Sequence, residues 1–438
     1  MKTKHRSGVV ARYLDRYGES AVRELADWVA GWPDALRWHQ VLVVPVCGER
    51  TDFIDRIPDP TTTLAIIVVN HSVDSSAEAM ASNHSFVETL TRAAAVLQRV
   101  AGMTLLRLDH SALHVLLVDR YSSGRELPIE GGVGHARKLG ADIAAGLIDL
   151  GRLTGRWIFN SDADTHLPGD YFTRPEQLPR AAVAIFPFRH VHGPDSDDQI
   201  TAATLLYEVS LHHYVEGLRS AGSPYAFHSV GSTFAVEIES YAKVRGFPKR
   251  SAAEDFYMLN KLAKVGSVVE LTGEPIRIDA RISDRVPFGT GAAVGKMVKH
   301  GTLIRSYDFY HPDVFAVLAH WLSSFEALWD DRDRGIELAL QRVSQSLPNI
   351  TTPSAMTELL THIGAPKGVA HGYKQARDQN QFNKQLHDWF DGFRTLKMVH
   401  WLRDHVAASI PLPELLGYSA CRTLNQRCRA QIDLLCKR

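Results

Sequence analysis

The chain is poor in cysteine and has no excess of charge. Its four cysteines, Cys47, Cys421, Cys428 and Cys436, show neither CxxC spacing nor the density of an extracellular disulfide framework. Three of them recur near the C-terminus at helix-like intervals, a pattern that fits reduced cysteines on helices better than a metal or redox cluster. The 49 basic residues equal the 49 acidic ones, whereas a protein built for nucleic acid usually carries a basic excess. No run reaches the ~18 consecutive apolar residues of a membrane span. The opening MKTKHRSGVVARYLDRYGES scatters charge and has no apolar centre, unlike a secretory signal. The expectation is a cytoplasmic protein with no nucleic-acid partner and no transmembrane segment. GxGxxG and GxxxxGK[ST] are missing too, so neither a dinucleotide nor a P-loop fingerprint is present.

What is there belongs to an ordinary globular protein, 45% hydrophobic and 22% charged over 438 residues. That length exceeds one usual core, and one large α/β domain with a helical appendage is the natural expectation. Residues 1–38 read as a helical segment, with Val22, Leu25, Trp28 and Val29 as an apolar stripe. VLVVPVCGE (41–49), TLAIIVVNHS (63–72), HVLLVDRYS (114–122) and RWIFNSDADTHLP (156–168) each read as a buried strand running into polar residues. Helical periodicity lies between them, at 82–100 and 131–151. This alternation predicts a Rossmann-like, mostly parallel sheet with helices on both faces over 39–311. From 312 to 438 the pattern is helical only, with Trp321, Trp329, Trp389 and Trp401 supplying bulk.

Chemistry concentrates in a few places. Asp162 and Asp164 alternate at the carboxyl end of a strand, where open α/β sheets bind their ligands. Oxygen donors of this kind suit Mg²⁺ or Mn²⁺ bridging a diphosphate, although a solvated turn with Asp164 as a local cap gives the same tripeptide. Glu254 and Asp255 open a helix, where acids also occur because the helix N-terminus is partly positive. GGVGHARKLGAD (131–142) sets glycines before a helix, with Arg137 and Lys138 as contacts to a nucleotide or pyrophosphate; its glycines serve equally as turn punctuation. ISDRVPFGTGAAVGKMVKHG (282–301) reads as a basic loop able to close over a diphosphate, with Arg285 as donor contact and His300 as a further metal ligand, or equally as an ordinary exposed loop. His212, His213 and His228 are candidates for an acceptor pocket, each weighed against a structural role.

Taken in order, these segments resemble the family 2 glycosyltransferases of the GT-A fold over roughly residues 40–300. VPVCGE looks like that family's opening strand, which places Glu49 near the nucleotide. GGVGHARKLGADIAAG looks like its glycine–Ala-Arg–helix segment, SDADTHLPGDYF like its DxD motif, and AEDFYMLNKLAKVG like its Glu-Asp helix. The resemblance implies Asp162 and Asp164 as ligands of a divalent ion and of a UDP- or GDP-sugar. It also implies Asp255 as the base of an inverting transfer, beside Glu254; the partly positive helix N-terminus is expected to keep Asp255 ionised. The usual paired acids after the second strand are replaced by NHSVDSS, which leaves Asp74 as the candidate for a nucleobase contact. The QxxRW motif of processive synthases is absent, so transfer of a single sugar to a hydroxyl acceptor is expected. The alternatives are a retaining GT-A transferase acting on a small acceptor such as a glycerate derivative, and a non-catalytic binding protein of the same fold.

Overall fold

The computed structural model describes residues 8–100, 102–283, 289–299, 307–345 and 350–436. The chain divides into two compact units, residues 1–195 with 229–292 and residues 196–228 with 293–438.

The first unit is built on a nine-stranded mixed sheet. Its strands are β1 (Gln40–Val46), β2 (Thr63–Asn70), β3 (Ala94–Val100), β4 (Met103–Leu108), β5 (His114–Arg120) and β6 (Trp157–Asn160), all from the first half of the unit. A two-residue strand β7 (Thr165–His166) follows, then β8 (Ala181–Ile185), β9 (Phe188–Val191), β10 (Phe234–Glu237), β11 (Ser267–Glu270) and β12 (Ile276–Asp279). The order across the large sheet is β11-β8-β10-β6-β1-β2-β5-β4-β3, and β7-β12-β9 form a separate small sheet. The centre, β6-β1-β2-β5, is parallel. β10 runs antiparallel between β6 and β8, and β4 and β3 run antiparallel beyond β5.

The central strands form because their residues are apolar without alternation. Val43, Val44, Ile66, Ile67 and Leu116 are fully buried, and each such side chain contributes roughly 1.5–3 kcal/mol when removed from water. Because these strands are parallel, the ends of β1, β2, β5 and β6 share one edge, which carries the polar residues that follow each strand.

The helices of this unit are α1 (Gly8–Tyr17), α2 (Ser20–Arg23), α3 (Leu25–Ala30), α4 (Ala77–Arg92) and α5 (Gly132–Asp149). One helix further on, and belonging to the second unit, is α6 (Asp198–Ser220); α7 (Ile238–Lys243) and α8 (Glu254–Leu262) return to the first. Helix α5 lies against β1 and β2, and α1 lies against α5 and α7. Close approach explains the glycines of α5. A Cβ at Gly140 would come within 2.5 Å of Val43, and one at Gly146 within 2.7 Å of Leu25.

One expected helix is two elements. The periodic stretch 82–100 stays helical only to Arg92, and Ala94–Val100 is the edge strand β3, paired with β4. The alanines carry no preference strong enough to resist pairing with a neighbouring strand. The segment 282–301, expected as a loop, is helix α9 from Thr290 to Lys299, held by buried Val294 and Met297.

The second unit is helical. Asp197 caps α6 by accepting from the Ile200 amide at 2.7 Å. Thr352, Asp378 and Asp391 start later helices in the same way. One core gathers Leu218, Phe315, Trp321, Phe325, Met356, Phe390 and Trp401. Another gathers Leu206, Val209, Phe309, Leu412, Leu415, Cys421 and Cys428. Helix α6 feeds both, so the helical unit takes in residues from the middle of the chain as well as those after 312.

Candidate functional site

The site is built where β1 and β6 end. Asn160 pairs with Val43, and the Ser161 amide donates to the Val43 carbonyl at 3.1 Å. The chain then turns on itself. Thr165 Oγ1 donates to the Asp162 carbonyl at 2.8 Å, and Ser161 Oγ meets Thr165 Oγ1 at 2.6 Å. The Asp279 amide donates to the Asp164 carbonyl at 2.9 Å, tying the turn to β12. Both ends of the Asp162–Asp164 turn are therefore anchored in a sheet.

Next to it, β1 ends in a glycine that the geometry requires. Gly48 has φ +68°, in the left-handed region. Its amide donates to Asn83 Oδ1 at 2.9 Å, Asn83 Nδ2 donates to the Asn70 carbonyl, and Asn70 Nδ2 to the Val46 carbonyl. This amide chain fixes the ends of β1 and β2 to α4 and sets the course of the backbone into Glu49. Nothing in the spacing of Asn70 or Asn83 marks them in the sequence.

The glycine segment that opens α5 serves chain packing. A Cβ at Gly134 would lie 2.5 Å from the Pro248 carbonyl and 2.6 Å from that of Arg250, and the Gly134 amide donates to Arg250. The stretch pressed onto α5 in this way leads directly into Glu254 and Asp255. Ala253, just before them, has φ +58°, an unfavourable conformation for a residue with a Cβ.

Arg137 joins the two acidic motifs. Its Nε donates to Glu254 Oε1 at 2.9 Å and its Nη2 to Asp162 Oδ1 at 2.6 Å. The residue is 2% exposed, and Gly231 opposite leaves it room, since a Cβ there would strike Nη2 at 2.6 Å. Nη1 is buried with no hydrogen-bond partner among the described residues. Burial opposes the charge of Arg137, but Asp162, Glu254 and Asp255 outweigh it and hold the guanidinium protonated. A second arginine, Arg281, just past β12, meets both oxygens of Glu49 at 3.0 Å and Asp164 Oδ2 at 2.7 Å.

The carboxylates respond to this setting. Burial, then the neighbouring charge of Glu254, pushes Asp255 up to about 7, and burial raises Glu254 as well. Burial and the neighbouring Glu254 thus work against the ionised form that the helix N-terminus was expected to favour. Asp255 Oδ1 accepts from the Phe256 amide at 2.7 Å.

Of the residues expected from sequence, Arg137, Asp162 and Glu254 are bonded together, and Glu49 and Asp164 are joined through Arg281. Lys138 is not with them. It is buried, donating at 2.7 Å to Tyr13 and to Asp142, and it pins α1 to α5 instead of offering a donor contact. Asp74 lies exposed in the turn after β2. Asp284, Arg285 and His300 lie outside the described residues. His212 and His213 are buried in the second unit, His213 bonding the Tyr310 carbonyl at 2.7 Å and His212 packing edge-on to His228. Sequence reasoning missed Arg281, which stands one residue before the basic segment, and His166, which bonds Asp279 at 2.9 Å.

Among the described residues no helix is long and apolar enough to cross a membrane. No family model matches the chain, and no curated protein matches it in sequence. Among solved structures it aligns with S. aureus TarS 1–349 in complex with UDP-GlcNAc, over 77% of this chain and 92% of that one, at 13% identity and a TM-score of 0.35. A second structure of the same segment aligns over 77% and 91%, at 12% identity and 0.35. A likeness that loose assigns nothing; the chain's own residues have to.

Proposed function

We propose that the chain is a glycosyltransferase of the GT-A type, moving a single sugar from a UDP- or GDP-sugar to a hydroxyl acceptor with inversion. The observation that carries this reading is the Arg137 bridge. It brings Asp162 and the Glu254–Asp255 pair, from distant parts of the chain, to one edge of the parallel strands. A transfer of this kind needs a place for the leaving diphosphate and a separate carboxylate for the acceptor's proton.

A hard divalent ion fits the donor set. Asp162 and Asp164 offer oxygen ligands, and Asp162 is a third exposed. No group of three or more His, Cys, Asp or Glu forms a metal cluster among the described residues; Mg²⁺ is commonly held by one or two carboxylates together with substrate phosphates, and Asp162 and Asp164 would be the two that hold it here. A divalent ion held by them would supply positive charge to the departing diphosphate.

The chain's residues then divide the work. The acceptor oxygen attacks the anomeric carbon, and the bond from that carbon to the diphosphate breaks with its electron pair leaving on the phosphate oxygen. The acceptor's proton passes to the Asp255 carboxylate. A base with a pKa near neutrality is well matched to that task. Glu254 acts through Arg137 as a positioning residue. The test is a screen of nucleotide sugars for transfer and hydrolysis with and without Mn²⁺, followed by the anomeric configuration of the product. Retention of configuration, or turnover undiminished in EDTA, would rule the reading out.

A further inference from the structure

Arg281 occupies an unusual place. It stands two residues beyond β12, whose backbone is tied down by the Asp279 amide on Asp164 and the Ala280 amide on Val191. Its fork takes both oxygens of Glu49, while Nη2 also meets Asp164 at 2.7 Å. Glu49 and Asp164 are largely buried, with side chains 11% and 17% exposed. Two carboxylates so placed repel unless a cation sits between them. The neighbouring Arg137, which bonds Asp162 at 2.6 Å, is 2% exposed, and its Nη1 has no hydrogen-bond partner among the described residues.

We infer that Arg281 is an internal cation of the donor site, exchanging Asp164 for the donor's diphosphate when a divalent ion binds. This rests on the donor-site reading of Asp162 and Asp164. A single positive charge on a flexible side chain holds Asp164 while the site is empty of ligand. A divalent ion displaces it from Asp164, and Glu49 keeps the arginine close. The released N–H groups then have a new partner only if a diphosphate is present, and a planar fork suits phosphate oxygens. Metal alone therefore meets internal competition, and metal with nucleotide does not, so the two ligands bind cooperatively.

The experiment uses the full chain. Mn²⁺ is titrated alone by electron paramagnetic resonance, and UDP and GDP are titrated with and without Mn²⁺ by calorimetry, in the wild type and in Arg281→Gln. The wild type is expected to bind Mn²⁺ weakly alone and about tenfold more tightly with nucleotide, within the usual range of site coupling. Arg281→Gln is expected to bind Mn²⁺ alone more tightly and nucleotide less tightly, with most of the coupling lost. The opposite signs separate an exchanging cation from a merely structural arginine, whose loss weakens both. Unchanged coupling in Arg281→Gln, or weakening of both ligands together, overturns the exchange while leaving the donor site standing. A wild type that binds neither nucleotide with Mn²⁺ overturns the donor-site reading and the exchange with it. If Arg281→Gln fails to fold, Arg281→Lys keeps the charge without the fork and is expected to show reduced coupling; full coupling in that variant overturns the exchange.

Discussion

The two units handle buried polar groups in opposite ways. In the first, Arg137 bonds Asp162 and Glu254, Arg281 bonds Glu49 and Asp164, and burial, with neighbouring carboxylate charge behind it, raises the pKa of Glu254 and Asp255. In the second, chemically capable side chains serve packing. Cys421 and Cys428 lie in an apolar core, where burial pushes their thiols up to about 11 and about 12, and His213 is spent on a backbone carbonyl. Cysteine and histidine are therefore poor guides to function here. The informative sign is a group of buried, like-charged side chains that the fold brings together, since holding them costs stability.

The largest effect expected is from cutting the chain after 311. The cut removes the partners of Leu206, Val209 and Leu218 on α6, which is left behind in the middle of the fragment. Fragment 1–311 should be insoluble, as judged by size-exclusion chromatography; a monodisperse, active fragment would break the contrast between the units. Asp255→Asn comes next. Transfer should fall by ~10²–10⁴ while nucleotide affinity by calorimetry stays within a few-fold, and a loss shared by both would make Asp255 a binding residue.

Trp321→Ala should destabilise the helical unit by about 3–5 kcal/mol, because Trp321 is fully buried. Denaturant melts followed by fluorescence measure this, and nucleotide affinity should be retained. A matching fall in affinity would mean that the units are not separable in function.

The pH dependence sharpens the same comparison. Asp255 is held at about 7 in the folded chain, against ~3.9 for an unperturbed aspartate. Between those values the folded state binds the extra proton, so this contribution to stability is present below ~4 and is lost as pH rises through about 7. Asp255→Asn should therefore melt higher than the wild type at pH 8, with the difference vanishing near pH 4. Transfer by the wild type should rise with pH and level off above about 7. A melting difference independent of pH would show that Asp255 is not the group concerned. The smallest effect belongs to Ala253→Gly. It relieves roughly 1–2 kcal/mol of left-handed strain and returns up to ~1 kcal/mol to the unfolded chain. A net gain under ~1 kcal/mol is expected by thermal melting, and a clear loss would mean that the Ala253 methyl group packs usefully.

Much of this was legible before any coordinates. Continuous apolar runs at 41–46, 64–69 and 115–118 identify buried strands, because a strand covered on both faces dispenses with alternation. The acidic pairs could be named from their positions at a strand end and a helix start. Elsewhere local pattern misled. Alanine-rich 93–100 reads as helix and pairs as an edge strand, and glycine-rich 131–134 reads as a phosphate loop and serves as a bearing for 248–251. Only tertiary structure could decide between Arg137 and Lys138, adjacent on one helix. Successive helical residues point about 100° apart, so one reaches Asp162 and Glu254 while the other is buried against Tyr13 and Asp142. The protonation of Asp255 was likewise beyond the sequence, because a helix start favours the charged form and burial beside Glu254 favours the neutral one. Periodicity and residue type are local quantities, and the chain carries them openly. Desolvation and charge pairing depend on what the fold brings alongside, so they exist only once distant segments have met.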